Sequence, residues 1–133
     1  MIQYQRLVFV LLHAILYPSS NGFNSYNDRD TESIGGVANP MKPTKQLYYL
    51  SLIMDVIGFI LSFFISPIFA ACFLFFIICS RLYSWRGLRL KKYPIIGYLL
   101  VIVNQGSLMF FAIAHGVSSN FTTETPFLLI LAA

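Results

Sequence analysis

The chain of 133 residues is 57% hydrophobic and only 11% charged, with a mean hydropathy of +0.71. Soluble domains carry roughly a quarter charged residues, so the composition excludes an ordinary soluble enzyme and predicts an all-α integral membrane protein. The net charge of +4 is no sign of a nucleic-acid partner, because the basic residues sit beside apolar runs, where membrane topology accounts for them.

Five hydrophobic segments follow in chain order, predicting a polytopic bundle of four to five helices. The first runs from about Leu7 to Tyr17 and stops at Pro18, with a helix resuming through the acidic stretch beyond. Arg6 and the apolar run after it have the size of a signal peptide. A single n-region charge and no small-x-small site argue against cleavage. The second segment spans about Leu47 to Ile65 and the third Pro67 to Ser84, punctuated by Ser66-Pro67. Proline disfavours helix at the residue before it and suits the first turn of the next. The fourth starts at Pro94 and reaches about His115. Residues 56–80 and 93–123 carry no charge, and each window exceeds the roughly 20 residues of a spanning helix. The fifth begins at Pro126 and stops at Ala133, too short to cross a bilayer. The chain is therefore expected to be a fragment, residues 1–133 forming one partial transmembrane domain.

Charge in the connections predicts the topology. Loop 24–46 carries Arg29, Lys42 and Lys45, and loop 85–93 carries Arg86, Arg89, Lys91 and Lys92. The Ser66-Pro67 turn and loop 117–125 carry no lysine or arginine. Two spans separate the basic loops, so they share a side, and the positive-inside rule makes it the cytoplasm. The expected location is a bacterial inner membrane.

One constellation carries chemistry. Asn24, Asp28 and Glu32 recur in steps of four, which places them on nearly one helix face, about 6 Å between neighbours. Asp30 lies about 200° round from Asp28 and cannot share that face. Ionisable groups this close to a bilayer mark a metal, ion or proton site by default; a solvated polar helix end is the plainer alternative. Mg²⁺ is usually held by one or two carboxylates plus substrate phosphate oxygens, and the basic Lys42-Pro43-Thr44-Lys45 follows. Together these suit a diphosphate substrate.

Three elements in order resemble the UbiA superfamily of intramembrane prenyltransferases. Asn24, Asp28 and Glu32 match three positions of its Asn-Asp-x-x-Asp-x-x-x-Asp signature, with Ser25 at the second and Glu for the last Asp. Pro40-Met41-Lys42-Pro43 looks like its Pro-x-Arg-Pro element, after a slightly longer spacer. Tyr83-Ser84 followed by Leu88-Arg89-Leu90-Lys91 is similar to its Tyr-Ser and Leu-Arg-Leu-Lys elements. The resemblance implies Mg²⁺-dependent transfer of a prenyl group from an isoprenyl diphosphate to a lipophilic, aromatic-type acceptor. It assigns Asn24, Asp28 and Glu32 to the metal and Lys42, Lys45, Arg89 and Lys91 to the diphosphate. Tyr83 would orient substrate or stabilise the cation. The family's second Asp-x-x-x-Asp does not occur in the later helices, so this chain alone is expected to be inactive.

A non-catalytic, degenerate membrane paralogue that binds lipid or a partner is the alternative. A CDP-alcohol phosphotransferase is disfavoured because Asp-Gly-x-x-Ala-Arg is absent. Asp55, two turns into the second segment, reads as structural or as supporting the site, and His13 as hydrogen-bonded packing. Asn104 and Gln105 lie mid-span and need partners, which makes them helix–helix glue or substrate contacts. Cys72 and Cys79, seven residues apart on one helix, cannot pair with each other and read as small core residues.

Overall fold

The computed structural model describes residues 2–29 and 41–117. Among these residues every regular element is helical, and the elements form four rods. The first rod is continuous: α1 (Ile2–Val10), a π-helical stretch Leu11–Leu16, and α2 (Tyr17–Asp28). The stop expected at Pro18 does not occur. Proline lacks an N–H and its ring crowds the carbonyl four residues back. Just ahead of it the helix widens, with the Tyr17 N–H reaching Leu12 O, and the wider turn absorbs the mismatch.

The rod ends at Arg29, which adopts a left-handed conformation (φ 50°, ψ 42°) and closes its N–H on Ser25 O at 3.1 Å. A regular helix thus carries Asn24 and Asp28 and closes at Arg29. The spacing argument holds for these two residues. Glu32, Asp30 and Pro40 lie outside the described residues, as do loop residues 118–125 and the fifth segment.

α3 (Lys45–Ser62) and α4 (Pro67–Ser84) form a hairpin with capped starts. Thr44 Oγ1 accepts the Leu47 N–H at 3.4 Å, and Ser66 Oγ accepts the Phe69 N–H at 2.9 Å with Pro67 in the first turn. Each satisfies an N–H that the helix start leaves orphaned. The fourth rod comprises α5 (Pro94–Val101), a π-helical stretch Ile102–Leu108, and α6 (Met109–Val117). The predicted starts at Pro67 and Pro94 coincide with the observed ones.

Among the described residues three helices are long and apolar enough to cross a membrane: Lys45–Ser62, Pro67–Ser84 and Pro94–Val117. Buried share separates them, at 44% for α4 against 22% for each of the others. Accordingly α4 is the centre of the bundle, packed against α2, α3, α6 and the second π stretch. Its Phe69, Phe73 and Phe76 meet Leu11, Leu12 and Leu16 of the first rod and Met109 and Ala112 of the fourth. At Gly58 of α3 a Cβ would lie 2.7 Å from Phe73 and 2.8 Å from Ile15, so only a glycine lets the three rods approach there. Ile53, Val56, Ile57, Ile60, Phe64 and Ile95 instead point outward, exposed. Such a continuous apolar surface is untenable in water and appropriate in lipid.

Candidate functional site at the basic end of the bundle

Two buried charges first fix how the rods stand. Asp55 of α3 pairs with Arg81 of α4, whose Nε donates to Asp55 Oδ2 at 2.9 Å and whose Nη2 contacts the same oxygen. Arg81 Nη2 also donates to Ser19 Oγ of α2 at 2.8 Å. The Ser19 hydroxyl shares its one hydrogen between Ser51 O at 2.8 Å and Asp55 Oδ1 at 2.5 Å. The face of Phe23 lies 4.0 Å from the guanidinium carbon. Three helices are tied in this way, which supports the structural reading of Asp55. Arg81 and Ser19 were missed, although opposite charges inside neighbouring spans are a signal that they pair.

Above this tie, the helix end presents the predicted residues. Asn24 and Asp28 sit one turn apart on α2, and both aim an oxygen at the same ammonium. Lys91 Nζ donates to Asn24 Oδ1 at 3.0 Å and also contacts Asp28 Oδ1. Ser84 Oγ donates to Asn24 Oδ1 at 2.7 Å, and Arg89 Nη2 lies 3.3 Å from Asp28 Oδ1. Local backbone brings Lys91 there. Arg89 takes a left-handed conformation (φ 45°, ψ 58°) that few non-glycine residues adopt, and the turn Leu90–Lys92 folds back after it. Gly97 of α5 then allows close approach, since a Cβ there would meet the Lys91 Cα at 3.3 Å.

Exposure separates the donors. The Lys91 side chain is 18% exposed and that of Arg89 46%, so the lysine pair is the less screened of the two. Tyr83 is half-buried and borders a cavity beside Asn24. Lys42 and Lys45 are exposed, and Lys45 borders a different hollow, with Tyr26, Tyr48, Trp85 and Arg86. The structure therefore brings together Asn24, Asp28, Tyr83, Arg89 and Lys91, while Lys45 borders the other hollow. Arg86 Nε donates to Asn27 O at 2.8 Å, tying the second basic loop to the end of α2.

The cavity has a volume of about 180 Å³ and is bordered by Asn24 and Ser84. α2 contributes Ser20 and Asn21, α4 Phe76, Ser80 and Tyr83, and the fourth rod Asn104 and Gln105. His13 does not reach it; that ring stacks on Phe9 and bonds Phe9 O at 3.1 Å. Cys72 and Cys79 are buried free thiols.

Among the described residues no three His, Cys, Asp or Glu side chains cluster as a metal site. Even so, the oxygens of Asn24 and Asp28 converge on a cation, the Lys91 ammonium. A pair of converging oxygens is what a protein usually offers Mg²⁺, which draws its remaining ligands from water and phosphate.

Fold and site define a polytopic membrane protein with an oxygen pair and two cationic side chains at one end of a helical bundle. A family model described as the UbiA prenyltransferase family matches residues 4–133. The chain belongs to that family of membrane prenyltransferases. No curated protein and no solved structure matches it.

Proposed function

We infer that this chain binds an isoprenyl diphosphate together with Mg²⁺ at the end of α2 and serves transfer of the prenyl group to a lipophilic acceptor. The convergence of Asn24, Asp28 and Lys91 carries this reading. Asn24 and Asp28 are the metal-side oxygens, with Glu32 the third candidate. Lys91 and Arg89 turn from the carboxylate to the diphosphate oxygens, which suit charge-assisted donors. Lys42, just before α3, and Lys45, at its start, are exposed and attract the anion from a distance. Neutralising charge on the departing diphosphate is what a bound Mg²⁺ supplies.

In the transfer, the allylic C–O bond breaks and its electron pair leaves with the diphosphate. The acceptor supplies a pair to the allylic carbon and gives up a proton. Lys91 and Arg89 stabilise the charge developing on the leaving group. Phe76, Leu100 and Val101 keep water from the allylic cation, and Tyr83 faces it from α4. The test is titration of geranyl diphosphate into the 133-residue chain in nanodiscs, with and without Mg²⁺. Saturable binding that disappears with EDTA is expected; binding indifferent to Mg²⁺ sinks the reading.

Orientation follows from the same charges. Both basic loops gather at one end of the bundle, and positive-inside bias puts that end in the cytoplasm. Cysteines introduced at Thr44 and Gly87 should react with an impermeant maleimide only from the cytoplasmic side. Labelling of either from outside reverses the assignment.

A further inference from the structure

The cavity between α2, α4 and the fourth rod holds one polar atom that nothing in the helix packing explains. Asn104 is 6% exposed, and its Oδ1 is buried without a hydrogen-bond partner among the described residues. Counting from Pro94 at 1.5 Å per residue puts it about 15 Å along the rod, near the middle of a ~30 Å hydrocarbon layer. An acceptor oxygen left unpaired at that depth is costly, and the helix–helix glue expected for this amide is not what the oxygen does. It borders the cavity, so a donor held there is within its reach.

Three features describe the occupant. An oxygen acceptor requires a hydroxyl or N–H donor. None of the residues lining the cavity is charged, and the ammonium beside its Asn24 end, that of Lys91, is already paired with Asp28, so an anion deep in the cavity would be desolvated without a free counter-charge. The volume of about 180 Å³ is close to the roughly 150 Å³ at which a protein cavity holds one benzene ring, and Phe76, Leu100 and Val101 offer it apolar walls. We propose that this cavity is the acceptor subsite, and that it takes an uncharged, hydroxyl-bearing single ring whose hydroxyl hydrogen is accepted by Asn104 Oδ1. This deepens the prenyl-transfer reading and rests on it for the word acceptor. Carboxylate-bearing rings are thereby disfavoured, and Asn104 becomes a specificity-determining residue. Asn24 and Asn104 line the same cavity, so a ring held by Asn104 shares a wall with the diphosphate end.

The experiment uses fluorine NMR on the 133-residue chain in nanodiscs, against empty nanodiscs, with 4-fluorophenol and 4-fluorobenzoate at pH 7 as probes. Saturable binding of the phenol and none of the carboxylate is expected. Asn104→Leu should weaken the phenol about tenfold, the scale of one lost hydrogen bond, without lowering the unfolding temperature. A merely structural amide would instead lower it. Asn104→Ser, which keeps a small polar group, gives a second measure should the leucine variant not fold. Equal binding of the carboxylate, or phenol binding unchanged in the variants, overturns the proposal. Binding of geranyl diphosphate to the same wild-type sample separates the two claims. If the diphosphate binds with Mg²⁺ and the phenol does not, only the subsite falls. If the phenol binds through Asn104 and the diphosphate does not, the prenyl-transfer reading falls and the ring site stands.

Discussion

Asp55→Ala is expected to destabilise the bundle by about 3–5 kcal/mol, the usual cost of removing one partner from a buried ion pair. The alanine leaves the Arg81 guanidinium in the interior with Ser19 Oγ and the Phe23 face as its neighbours. Arg81→Met should also destabilise, by stranding the carboxylate against one serine hydroxyl. The double variant Asp55→Leu/Arg81→Met should recover most of the loss, because isosteric apolar pairs often replace buried ion pairs at little cost. Unfolding in detergent, followed by tryptophan fluorescence or circular dichroism, measures all four proteins. A double variant no better than either single one would show that these groups do not act as a pair.

At the site, the second large effect is a divergence between two ligands. Asp28→Ala removes the oxygen shared by Lys91 and Arg89, and Mg²⁺-dependent affinity for geranyl diphosphate should fall about ten- to a hundredfold. That is the scale of one charge-assisted contact of roughly 1.5–3 kcal/mol. Lys91→Met acts in two directions. Without the ammonium, Asn24 and Asp28 lose a competing cation, so Mg²⁺ alone should bind more tightly. Geranyl diphosphate, deprived of a donor, should bind more weakly. Isothermal titration of each ligand separately reads both signs. Equal weakening of both would make Lys91 a prop for the α2 end, and no change in either would make it a membrane anchor.

How much of this was legible in the sequence depended on whether a signal was local. Ser66-Pro67 and Pro94 mark helix starts through backbone sterics and capping, which need no distant partner, and α4 and α5 begin there. Lys91 was reachable because its motif follows Tyr83-Ser84 by a short loop, and that loop returns it to Asn24. Pro18 misled because its penalty is local but the remedy, a π turn one step earlier, leaves no compositional mark. The face from Asn24 to Glu32 assumed a helix that Arg29 ends in a left-handed conformation, rare enough outside glycine that spacing does not announce it. Arg81 read as the end of an uncharged window, and its bond to Asp55 depends on the azimuth of two helices. Asn104 was visible as an amide in need of a partner; that its oxygen faces a cavity is a property of packing alone.

A π turn accommodates a surplus residue relative to the α-helix around it. The stretch Ile102–Leu108 therefore works as a phase adjuster. On one side α5 keeps Gly97 inward, and on the other α6 keeps Met109, Ala112 and Gly116 inward, each half free to hold its own azimuth. Loss or gain of a single residue within the stretch would rotate Asn104 relative to both halves while the lipid-facing stripes stayed in place. Lineages descended from such a protein could thus change what the cavity accepts by a one-codon insertion or deletion, a kind of mutation that elsewhere in a spanning helix would turn the remaining core face toward lipid.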